Sequence, residues 1–109
     1  MAQTRLEQLL HFLEEDPNDP FTLYAIATEY RSIDLNKALF YYEKLLTEHS
    51  DYTGTYYHAG KLYAERGQFD QAEATFRKGI ALTQSRGERN AHRELQAAYR
   101  EFLDEQEEE

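Results

Sequence analysis

Cysteine is absent from this 109-residue chain, which excludes disulfides, thiolate metal sites and thiol catalysis. Tryptophan is absent as well. Proline occurs twice, both times in the connector Asp16-Pro17-Asn18-Asp19-Pro20, so nothing elsewhere forbids uninterrupted helix. The five glycines do not form a phosphate-cradling loop, and no serine sits in a glycine-framed elbow. Long apolar runs are missing too. Residues 1–16 alternate leucines with charges, so neither a signal peptide nor a membrane span is expected, and the expected location is cytoplasmic. Bases are scarce, 12 against 21 acids, and a net charge of −9 argues against nucleic acid as a bulk ligand.

What is present is a pattern stated twice. Leu23-x-x-Ile26-Ala27-x-x-Tyr30 followed by Ala38-x-x-x-Tyr42 returns as Tyr56-x-x-Ala59-Gly60-x-x-Tyr63 followed by Ala72-x-x-x-Phe76. Ala38→Ala72, Tyr42→Phe76 and Leu46→Ile80 are offset by 34, whereas Leu23→Tyr56, Ala27→Gly60 and Tyr30→Tyr63 are offset by 33. The first copy is therefore one residue shorter in its turn.

This pattern resembles the tetratricopeptide repeat, a helix–turn–helix unit with small residues where its two helices touch. The resemblance implies an all-α fold, a right-handed superhelical solenoid of about six helices, and a role in docking rather than chemistry. Such a stack needs about three units' worth of helices to bury its core. Two repeats with a capping helix at each end supply them. The expected segments are a capping helix over 4–16, repeats over 20–50 and 53–84, a last helix over 88–105, and an acidic frayed tail over 106–109. Leu6, Leu9, Leu10 and Leu13, with Phe12 beside them, form the stripe of the first helix. Asp19 and Pro20 mark the next start, Asp34 and Asp70 open later helices, and Gly67 supplies a left-handed turn residue. The stripe of the last helix is Ala91, Leu95, Ala98, Tyr99, Phe102 and Leu103.

In this family the first helix of each unit lines the concave surface. The resemblance therefore assigns a peptide groove to Phe21, Tyr24, Thr28, Arg31, Tyr57, His58 and Lys61, joined by Arg89 and Arg93 if the last connector holds one extra residue. Aromatics there offer large contact area at low entropy cost, though ordinary surface tyrosines fit Tyr24 and Tyr57 equally well. Some tetratricopeptide domains clamp a carboxylate-ended acidic peptide with Lys, Asn and Arg. Arg89 and Arg93 resemble part of that clamp, but Tyr24, Thr28 and His58 depart from it. The arginines also have a plainer reading, as a solvated face with Arg100 paired to Glu88, Glu94 and Glu101.

Charge is unevenly placed. Residues 101–109 hold six acids and no base, residues 1–65 hold five bases and eleven acids, and residues 66–100 hold seven bases and four acids. An acidic occupant for the basic groove is expected, with the chain's own tail competing for it. The four histidines, His11, His49, His58 and His92, lack metal-ligand spacing. The reading is a non-catalytic interaction module for a protein or peptide partner, with no cofactor, metal, membrane or nucleic acid. It is a monomer or weak homo-oligomer, and the alternative is self-association of stacked repeats. Calorimetry with zinc, magnesium and ATP is expected to show no saturable heat; a stoichiometric micromolar site for any of them contradicts this reading.

Overall fold

Each of the first three helices begins at a side chain that satisfies its own orphan amides. Thr4 accepts from the Glu7 amide at 3.1 Å, Asp19 from Thr22 at 3.3 Å, and Asp34 from Asn36 and Lys37 at 3.1 and 3.2 Å. Pro20 then takes the first helical position, where its missing N–H costs nothing. The computed structural model describes residues 4–108. Within them run α1 (Arg5–Glu15), α2 (Pro20–Tyr30), α3 (Leu35–Glu48), α4 (Gly54–Glu65), α5 (Phe69–Ser85) and α6 (Arg89–Glu107), with no strand among the described residues. The helices fall into two units, α1–α3 up to Tyr52 and α4–α6 from Thr53.

The helices of the second unit lack side-chain caps at their starts, and α4 and α5 rely on glycine at their stops. Gly67 has φ +76°, and two bonds, Gly67 N–H to Ala64 at 3.1 Å and Gln68 N–H to Tyr63 at 2.9 Å, close the end of α4. Gly87, at φ +70°, repeats the arrangement after α5 with bonds to Gln84 and Thr83. Both are Schellman stops, in which a residue without Cβ tolerates the left-handed bend. The first unit has no such residue between its paired helices. There Ile33 and Asp34 both donate to the Tyr30 carbonyl, at 2.9 and 2.7 Å, with no left-handed residue at all. This tighter turn is the physical origin of the 33-residue offset.

Packing follows the repeat. In the first unit Leu23, Ile26, Ala27, Ala38, Tyr42 and Leu45 are fully buried between α2 and α3. In the second, Tyr56, Ala59, Ala72, Phe76 and Leu95 are buried among α4, α5 and α6. Small residues permit the approach. A Cβ on Gly60 would lie 2.5 Å from the Phe76 ring, and one on Gly79 would lie 2.5 Å from Tyr56 Cβ and 3.1 Å from Leu95.

Several expectations change. In α1 only Leu9 is buried; Leu6, Leu10 and Leu13 are half-buried and Phe12 is exposed. Asp70 does not open α5, which starts after Gln68 and carries Asp70 in its first turn. That helix runs to Ser85, where the Thr83 hydroxyl bonds back to the Gly79 and Ile80 carbonyls at 2.8 and 3.1 Å. Helix α6 continues to Glu107 through acids expected to fray, and Glu109 lies outside the described residues. Of the expected α6 stripe, Leu95 and Phe102 are buried, Ala91, Ala98 and Tyr99 are half-buried, and Leu103 is exposed.

Two outcomes follow for stability. Gly60→Ala and Gly79→Ala are each expected to lower the melting temperature, because overpacking of about 1–3 kcal/mol exceeds the helix-propensity gain of about 1 kcal/mol. Gly79→Ala is expected to be the worse, since its clash is with an atom next to the backbone; unchanged melting in both variants contradicts the close-contact assignment. Asp19 is held below its ordinary carboxylate value chiefly by the Thr22 hydroxyl, which donates to it at 2.7 Å, against a smaller opposing effect of burial. Its contribution is therefore complete above the unfolded value of 3.8 and is lost as pH falls through the lowered folded value. Asp19→Ala is expected to cost about 1 kcal/mol at neutral pH, Asp19→Asn much less, and the gap between wild type and Asp19→Ala to close in acid.

Candidate functional site

The outward side of α2 is built around tyrosines. Tyr24 meets Tyr42 edge-on at 6.2 Å and Tyr52 at 5.3 Å between ring centroids. Thr28 donates to the Tyr24 carbonyl at 2.9 Å and lies 3.1 Å from the Tyr42 hydroxyl. Burial pushes the Tyr42 phenol up to about 12, against the opposing pull of its Thr28 bond, and also raises Tyr52. Tyr24 and Thr28 are thus tied to the unit's own packing. Phe21 and Arg31 are not: Phe21 is 70% exposed in the first turn of α2, and Arg31 is exposed at its last.

On α4, three of the expected residues gather. Tyr57 and His58 stand perpendicular with ring centroids 5.3 Å apart. The Lys61 ammonium lies 5.1 Å above the Tyr57 ring and 3.4 Å from its phenol oxygen. Beside them, α4 and α6 bound an open cavity of about 310 Å³. Phe76 and Phe102 contribute its aromatic walls, Ala64 and Ala98 leave its room, and Lys61, Glu65, Glu101 and Glu105 supply its charges.

Glu65, Glu101 and Glu105 were not among the expected site residues. Their signal is visible in retrospect: Lys61/Glu65 and Glu101/Glu105 are each four apart, so each pair shares a helix face. Arg89 and Arg93 are exposed on α6 and do not line the cavity. At about 100° per residue, Arg89, Arg93 and Arg100 fall within about 40° of each other, and Glu94, Glu101 and Glu105 within about 40° on a face about 120° away. The expected pairing of that arginine face with Glu88, Glu94 and Glu101 does not occur among the described residues, where Glu88 instead lies 3.7 Å from Arg86.

The histidines go separate ways. His11 pairs with Glu14 and Glu15 on α1, at 3.9 and 3.3 Å. His92 Nδ1 lies 3.1 Å from the Ile80 carbonyl oxygen and 3.2 Å from the Thr83 hydroxyl, which ties its ring to the end of α5. Among the described residues, no group of three or more His, Asp or Glu could hold a metal ion, and no helix is long and apolar enough to cross a membrane.

Known proteins agree with this architecture. Residues 32–99 match the family model of the tetratricopeptide repeat. The crystal structure of a tetratricopeptide repeat domain protein from Salinibacter ruber is 39% identical and covers 80% of this chain and 98% of its own, with a TM-score of 0.76. A solution structure from the same organism gives 41% identity over 80% and 89%, with a TM-score of 0.73. A Bordetella parapertussis protein shares the fold at 23% identity, covering 95% and 91% with a TM-score of 0.80. No curated protein matches. With paired helices meeting at small residues and a family match over more than half its length, the chain belongs to the tetratricopeptide repeat family.

Proposed function

We propose that this chain is a non-catalytic docking module that holds an extended or helical segment of a partner protein against α4 and α6 of its second unit. The fold in general supports protein–protein interaction, and proteins built this way generally serve as scaffolds. The observation that carries the reading here is the open cavity between α4 and α6, rimmed by Lys61, Glu65, Glu101 and Glu105 with Ala64, Ala98 and the buried rings of Phe76 and Phe102 behind them. Lys61 lines it on α4, its ammonium over the Tyr57 ring one turn earlier, and Tyr57 in turn meets His58. An acidic occupant of the second unit would have to be met by Arg89 and Arg93, because Lys61 shares its cavity with three carboxylates. Self-association is the second reading. It is favoured by Phe69 and Leu103, each 38% exposed in the second unit.

Panning a phage-displayed peptide library against the chain, then titrating selected peptides while following backbone amide resonances, tests the docking reading. Shifts are expected at Tyr57, Lys61 and Ala64 on α4 and at facing residues of α6. Tyr57→Ala is expected to weaken binding at least about tenfold, roughly 1.4 kcal/mol. If no peptide is selected, or if shifts fall elsewhere, the reading fails. Light scattering that shows mass rising with concentration, lost in Leu103→Glu, supports self-association instead.

A further inference from the structure

Resting on that docking reading, we infer that the cavity between α4 and α6 receives a cationic side chain, an arginine, presented by the partner segment. Three carboxylates, Glu65, Glu101 and Glu105, line it against a single ammonium. That ammonium does not neutralise them. Lys61 turns to the Tyr57 ring, and among the described residues it forms no ion pair with any of the three. Glu65, Glu101 and Glu105 are exposed at the rim, while Phe76 and Phe102 are almost wholly buried behind it.

This order, carboxylates at the mouth and aromatic carbon behind, suits a guanidinium. Its edges offer forked donors to carboxylate oxygens, and its apolar stem fits the room left by Ala64 and Ala98. At about 310 Å³ the cavity stands at the small end of ligand pockets, a size for one long side chain. The whole chain reinforces the choice, since 21 acids against 12 bases set up a field that draws in basic segments and repels acidic ones.

The test titrates the full chain with an acetylated, amidated tetra-arginine peptide at low salt while amide resonances are followed. Shifts are expected at Lys61, Ala64, Ala98 and Phe102. The double variant Glu101→Gln with Glu105→Gln is expected to bind about fivefold more weakly, from two rim pairs each of modest strength. Glu14→Gln with Glu15→Gln removes the same charge from α1 and is expected to change affinity less than about twofold, from its small share of the bulk field. Equal weakening by both pairs makes the attraction a bulk one and overturns the inference, as do shifts confined to other helices or tetra-glutamate binding at the same amides. The two readings fail separately. If panned peptides dock at α4 and α6 but carry no basic residue and ignore the Glu101/Glu105 change, docking stands and the cation site falls. If no peptide docks at all, the docking reading falls first.

Discussion

Two helices can share a core only as closely as the bulkiest residue at their crossing allows, and in the second unit that limit is set at Gly60 and Gly79. At each position a single Cβ would intrude to 2.5 Å on a neighbour, the Phe76 ring in one case and Tyr56 Cβ in the other. Gly79 carries the greater demand, because Leu95 of α6 lies on the same spot. The bare backbone there lets α5 seat both α4 and α6. Those are the two helices that bound the cavity, so its walls depend on a contact that contributes no side chain of its own.

The two units reach similar helix pairs by different local chemistry. The first starts its helices with Thr4, Asp19 and Asp34 side chains and turns at Ser32-Ile33-Asp34 without any left-handed residue. The second leaves its helix starts uncapped by side chains and ends α4 and α5 on Gly67 and Gly87. A side-chain cap and a glycine stop satisfy opposite ends of the backbone ladder, so either can terminate a repeat. The core differs in the same way. Fully buried Leu45 of the first unit stands where the second has Gly79 thirty-four residues later, so bulk in one repeat becomes a close backbone approach in the other.

The fold was legible because its signals are periodic. Ala27, Ala38, Gly60 and Ala72 recur at the repeat's small positions, and the structure buries all four completely or nearly so. Gly67 was legible as a turn because only a residue without Cβ bends left-handed cheaply there. The last helix was legible in kind but not in extent. Acids at its end suggest fraying when read alone, yet backbone bonding carries α6 to Glu107. Gly79 escaped notice because helix periodicity marks where a side chain points, and a glycine has none. The cavity escaped for a related reason: its Glu65, Glu101 and Glu105 come from two helices and meet only after packing.

Charge counted along a chain and charge counted across a surface need not agree. Residues 66–100 are basic, seven bases against four acids, while the cavity that α6 helps to build is acidic. The period of the helix resolves the contradiction. Arg89, Arg93 and Arg100 are gathered on one side of α6, and Glu94, Glu101 and Glu105 on another about 120° away, so one helix presents opposite signs in different directions. Packing against α4 then selects which sign meets Lys61. That lysine lies over the Tyr57 ring and, among the described residues, pairs with none of the acids it faces. The charge that such a module presents is thus set by the rotation of one helix about its axis, and that rotation is fixed by its buried residues, Leu95 and Phe102, which leave the glutamate face toward the cavity and the arginine face turned away from it.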